Sequence, residues 1–178
     1  MIFGDKDEYA IEVYHEPLDN NSFYMTGRMC LHFYGEPFGD INYAGYVGSF
    51  CVTYRCLLEK INDLESIKYN FDLETDVNIF DFLNVKLYMA DDETTYEQIV
   101  IDDKKYRKYD FLTNGGEMFD GTISFIYLDD NEKIHILYQI HYKNDEIICI
   151  QLDKETFINV TKEFIKWYES TSNINITK

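Results

Sequence analysis

Four histidines, four cysteines and 33 carboxylates are the side chains of this 178-residue sequence whose chemistry could make a site. The histidines are His15, His32, His135 and His141. His135 and His141 fall on one predicted strand and share its polar face with Gln139. Six residues of strand span about 20 Å, too far for one metal ion. Neither H-x-x-x-H nor H-x-H occurs, and Asp129-Asp130-Asn131-Glu132 lacks the alternating ligands and central glycine of a calcium loop. Cys30, Cys51, Cys56 and Cys149 are scattered without a C-x-x-C pair, so zinc and redox chemistry are not indicated, and all four read as small buried thiols. Ser49 follows Gly48 ahead of a predicted helix, but G-x-S-x-G is absent and N-capping accounts for the serine. Gly45-Tyr46-Val47-Gly48-Ser49 has neither the lysine of a phosphate loop nor the spacing of a dinucleotide turn. No catalytic residue, metal or cofactor is therefore expected. The one enzyme reading left open is a site assembled in space from His32, His135, tyrosines and carboxylates.

The elements that would position these groups follow from hydrophobic period. Tyr9 to His15 and Phe23 to Tyr34 alternate as half-buried strands, separated by the turn Asp19-Asn20-Asn21-Ser22. Gly35 to Asp40 supplies turn chemistry, and a short strand is expected at Asp40 to Tyr43. From Ser49 the period changes to three and four: Phe50, Tyr54, Leu57, Leu58, Ile61 and Leu64 form a helix stripe. A second helix is predicted from Thr75, using Val77, Phe80, Leu83 and Leu87, with an acidic loop at Asp91-Asp92-Glu93. Tyr106 to Leu112 reads as a strand broken by Asn114-Gly115-Gly116, with the basic run Lys104 to Lys108 protecting its edge. Thr122 to Leu128, Ile134 to Tyr142 and Glu146 to Leu152 form a predicted antiparallel meander, turning at Asp129 to Glu132 and at Lys143-Asn144-Asp145. Asp153 caps a last helix carrying Phe157, Val160, Phe164, Trp167 and Tyr168 on one face, with Trp167 expected to be largely buried. The fold class expected is α+β: an antiparallel β-sheet with two central helices and a C-terminal helix packed on the sheet. Residues 1–170 read as a single domain and 171–178 as a frayed polar tail.

The charge narrows the function classes. Sixteen basic against 33 acidic residues leave a formal net charge of −17. Phosphate backbones and anionic membranes would repel such a surface, so direct nucleic-acid and membrane binding are not expected. Sixteen tyrosines and 13 phenylalanines exclude a disordered chain. The opening Met1 to Glu8 lacks a basic region followed by an apolar run, and no stretch approaches the roughly 20 apolar residues of a spanning helix, so a cytoplasmic location is expected.

Two stretches carry a resemblance. Met1-Ile2-Phe3-Gly4-Asp5 followed by Tyr9-Ala10-Ile11-Glu12 resembles the opening of the immunity protein 42 family of bacterial polymorphic toxin systems. Gly27 to Asp40 resembles the family's next segment, an aromatic strand ending in G-x-x-x-G-D, and the C-terminal helix with Trp167-Tyr168-Glu169 is compatible with it. Asp91 to Asp103 has no counterpart in that pattern. The resemblance implies a non-enzymatic inhibitor that binds a cognate toxin domain. An acidic inhibitor would associate rapidly with a basic toxin, such as a nuclease. The contacts expected are Asp91, Asp92, Glu93, Asp102, Asp103, Asp129 and Asp130, because these acids cluster in predicted loops, where variation leaves the fold intact. A nucleic-acid mimic presenting acidic rows to a DNA-binding protein is the second alternative.

Overall fold

The computed structural model describes residues 1–16, 25–64, 73, 75–91, 93–113, 116–140 and 146–172. In chain order the elements are β1 (Ile2–Asp5), β2 (Tyr9–Glu16), β3 (Thr26–Phe33), β4 (Glu36–Phe38), β5 (Gly45–Tyr46), α1 (Val47–Lys60), α2 (Asp76–Tyr88), α3 (Tyr96–Tyr106), β6 (Thr122–Leu128), β7 (Lys133–Ile140), β8 (Ile148–Asp153) and α4 (Lys154–Thr171), with single 3-10 turns at Ile61–Asp63, Arg107–Tyr109 and Glu117–Phe119. They make a mixed α+β chain that divides into two compact units.

The first unit takes β1 to β5, α1, the Glu117–Phe119 turn and α4. Its antiparallel sheet runs β1-β2-β3-β4, with β5 also paired to β3. The strand β1 needs a glycine ahead of its turn: Gly4 has φ +87°, and a Cβ there would sit 2.3 Å from the Tyr9 carbonyl oxygen. The helix α4 starts at Asp153, whose carboxylate accepts from the Glu155 N–H. It lays its apolar stripe on β1 and β2, as expected of the C-terminal helix. Phe157 stacks on Tyr9 at 5.3 Å and Phe164 meets Phe3 edge-on at 6.0 Å. From α1, Tyr54 packs against both Phe157 and Phe164. Phe119 seals the far side between Phe38 and Phe50.

The second unit takes α2, α3 and the meander β6-β7-β8. All seven residues of β6 are buried, and it pairs with β7 from Thr122↔Ile140 to Leu128↔Ile134. Thr75 caps α2 by accepting from the Asn78 N–H, and Phe80 of α2 packs edge-on against Phe125 of β6 at 5.2 Å. The helix α3 rests on α2 through Phe82 against Tyr106 and Lys86 against Asp102.

Several sequence expectations are corrected. Instead of a strand at Tyr106 to Leu112, α3 ends at Tyr106, a 3-10 turn follows, and only Asp110 makes a bridge, to Phe125. The run Lys104 to Lys108 therefore caps a helix C-terminus, where the dipole favours cations, and guards no strand edge. Asp40 to Tyr43 is a turn, because Asp40 Oδ1 accepts from the Asn42 N–H and turns the chain on itself; the pairing falls instead to β4 and β5. The helix α1 begins two residues before Ser49, which donates to the Tyr46 carbonyl from inside the first turn and is not the N-cap. Gly48 is accordingly helical and buried, with the Tyr168 hydroxyl 2.4 Å from where a Cβ would stand. Val77 is exposed while Ile79 is buried in the α2 stripe. Cys30 and Cys51 are buried, but Cys56 and Cys149 are exposed. Trp167, by contrast, is largely covered as expected, tilted over Phe3 at 5.5 Å at the margin of the core. The predicted turns at 19–22 and 143–145, with Phe23, Asn114, Gly115 and His141, lie outside the described residues.

Candidate functional site

All the acids expected to form a contact surface belong to the second unit, but their roles differ. Asp91 and Glu93 lie exposed on the short connection between α2 and α3. The connection is held by Asp91 Oδ1, which accepts from the Thr94 hydroxyl at 2.6 Å and the Glu93 N–H at 3.1 Å. The Thr94 hydroxyl, with the neighbouring N–H groups, lowers the Asp91 carboxyl below its usual range. Asp92 lies outside the described residues. Asp102 and Asp103 are not in a loop. They are on α3, where Asp102 is 7% exposed and accepts from Lys86 Nζ at 3.3 Å and Gln98 Nε2 at 2.9 Å. Asp103 is paired with Arg107, Nη2 to Oδ1, at 2.6 Å. Asp130 is exposed on the β6–β7 turn, but Asp129 beside it is folded inward. Its carboxylate accepts from the N–H groups of Asn131 and Lys133, and it meets His135 Nε2 at 3.1 Å. Burial pushes the Asp129 carboxyl up, yet those donors outweigh burial and leave it low.

Two histidines sit in polar clusters of separate sheets. In the second unit, His135 lies between Asp129 and Asp76, with Nδ1 3.7 Å from Asp76 Oδ2, and stacks on the Tyr127 ring at 4.5 Å. The Tyr127 hydroxyl donates to Asp76 Oδ1, and burial first, then that carboxylate, raises the phenol far above its usual range. In the first unit, Glu12 Oε2 meets Lys6 Nζ at 2.6 Å and His32 Nε2 at 2.7 Å, while Tyr14 donates to Oε1 at 2.9 Å. Burial would raise the Glu12 carboxyl, but these partners overcome it and hold it at about 2. The buried thiols of Cys30 and Cys51 are pushed up to about 11 by burial, so both stay protonated at neutral pH. Among the described residues no three His, Cys, Asp or Glu side chains gather in a way that could hold a metal ion, and no helix is long and apolar enough to cross a membrane.

Sequence reasoning missed the feature that most distinguishes the second unit, the solvent face of the α2–α3 hairpin. Val85, Tyr88, Met89, Tyr96 and Ile99 are all exposed there. The helix α3 buries only Asp102 and Tyr106. Thr95-Tyr96-Glu97-Gln98 has the T-x-x-Q form of a helix start, and Thr95 does accept from the Gln98 N–H, so the helix itself left a readable signal.

The two units together describe an α+β protein whose loops carry acids and whose buried histidines are bonded to carboxylates. Its sequence matches the model of the family described as Immunity protein 42 over residues 1–167, across both units, and the chain belongs to that family. None of the curated proteins matches it significantly. Among solved structures it is similar to CdiI from Burkholderia dolosa AUO158, at a TM-score of 0.62 and 12% identity over 94% of this chain and 99% of that one. At that identity the likeness is one of fold.

Proposed function

We propose that this protein is an immunity protein that binds a cognate bacterial polymorphic toxin domain and neutralises it, acting as an inhibitor and not as an enzyme. The observation that carries the reading is the family match over residues 1–167. The structural neighbour, CdiI from Burkholderia dolosa, is consistent with it. The toxin domain is basic, nuclease-like in charge, because a partner of a −17 chain gains most from opposite charge. Residues 1–170 act as one binding module in the cytoplasm, where the toxin would otherwise do its damage. The exposed acids Asp91, Glu93 and Asp130 steer the encounter, together with Asp92; Asp102, Asp103 and Asp129 contribute to the field while bonded within the fold.

The enzyme alternative would need His32 or His135 as an accessible base. Each is buried against carboxylates that already occupy it. The nucleic-acid mimic would need acids in regular exposed rows, whereas Asp102 and Asp129 point inward. Co-expression with the toxin domain encoded immediately upstream of this gene tests the proposal. Growth should be restored by the wild-type chain. Continued killing by the toxin in cells that hold the folded chain would reject it.

A further inference from the structure

We infer that the exposed side of the α2–α3 hairpin is the toxin-docking surface, and that its occupant is a toxin face presenting an apolar pocket bordered by lysine and arginine. The inference rests on the immunity reading and adds the place of contact. The helix α3 departs from a normal surface helix: beside Tyr106 it buries Asp102 at 7% exposure, while Tyr96 is 82% and Ile99 41% exposed. On α2, Val85 is exposed and Met89 is 60% exposed just past the helix end. Arg107 joins the two rows, bonding Asp103 of α3 and the Tyr88 hydroxyl of α2 at 2.9 Å. Tyr88 also donates to Asp110 at 2.8 Å and tilts over Phe125 of β6 at 6.2 Å, so its ring packs on the sheet and only borders the exposed surface. Ile99 precedes Asp103 by one turn and Tyr96 precedes Ile99 by another, so these side chains share one face of α3, and Val85 lies one turn before Tyr88 on α2. Tyrosine and methionine are the residue types that interfaces enrich, since they bring large area and adaptable packing.

Charge identifies what covers this face. Asp81, Asp91, Glu93 and Glu97 are exposed around it, and among the described residues none of the four makes an ion pair. An apolar centre with an acidic rim is the complement of a basic partner. A second copy of the chain would set these acids against one another, and like charges facing across an interface cost several kcal/mol.

The experiment measures the affinity of purified chain for the toxin domain encoded immediately upstream, with oligomeric state followed by light scattering. Tyr96→Ala combined with Met89→Ala should weaken binding by about 30-fold or more, the scale of a hot-spot loss. Ile99→Lys, forcing a cation into the partner's apolar pocket and beside the cations that border it, should do the same. Tyr43→Ala and Val52→Ala, exposed positions of the first unit, should leave affinity unchanged. The thermal melt of each variant should match the wild type, because the altered side chains face solvent. Wild-type binding with unaltered affinity in the hairpin variants would overturn this assignment and leave the immunity reading standing. Failure of the wild type to bind would overturn both. Hairpin variants that turn a dimer into a monomer yet bind the toxin normally would assign the face to self-association and refute the inference.

Discussion

Glu12, in the first unit, is a carboxylate held well below its ordinary range, and the consequence for stability has a definite sign. Its carboxyl lies at about 2 in the folded chain against an ordinary 4.5, so the folded state prefers it ionised. The stabilisation is complete above about pH 5 and is lost as pH falls through 2. The shift corresponds to at most roughly 3–4 kcal/mol. Glu12→Gln should therefore lower the urea midpoint at pH 7, and the difference from wild type should shrink toward nothing near pH 2; an equal deficit at both pH values would mean that packing, not charge, is lost. The strand alternation of Tyr9 to His15 placed Glu12 on the face opposite Ile11 and Val13, but it could not tell that Lys6 and His32 close over that face. The same blindness affects Asp102 and Asp129. A sequence counts carboxylates, while their availability to a partner depends on which donors the fold brings to them, here Gln98 and Lys86 in one case and the Lys133 N–H and His135 in the other.

At the level of elements, legibility followed apolar patterning and the turn residues that bound it. The strands β6, β7 and β8 were readable because turn residues punctuate long apolar runs, and α4 because Asp153 and a continuous stripe both mark it. The helix α3 escaped because only two of its eleven residues are buried, so it carries no periodic core stripe. Its stability must lean on its cap and on contacts with α2. Thr95→Ala should cost about 1 kcal/mol by denaturant unfolding, a typical loss for a capping hydroxyl, and a null effect would show that the cap is not formed. Trp167 lies between these cases: the stripe was right, but the ring ends at the margin of the core against Phe3 and Phe164. Trp167→Ala should cost about 2 kcal/mol, less than the roughly 3–5 kcal/mol of a fully buried large aromatic. A loss in the upper range, measured the same way, would place the ring deeper than the structure has it.

For the molecule as a whole, family membership supports an immunity role, and the net charge of −17 is the ground for proposing that an acidic surface draws in a basic toxin. Charges act over only about 8 Å at physiological salt. The association rate should therefore fall as ionic strength rises, while dissociation, governed by close contacts, changes far less. Reversing Glu93 and Asp130 to lysine should lower the association rate and leave stability within about 0.5 kcal/mol of wild type, since both side chains are exposed and such charges contribute little to folding. A salt-independent rate with tight binding would keep the function and remove steering from it.

If this chain is an immunity protein, it neutralises its toxin by binding it. Titration of the purified toxin domain, encoded immediately upstream, with the purified chain while following toxin activity is the deciding measurement. Activity should fall linearly to zero at a fixed molar ratio, with a stable complex recovered at that ratio. Full toxin activity in the presence of excess folded chain would contradict it.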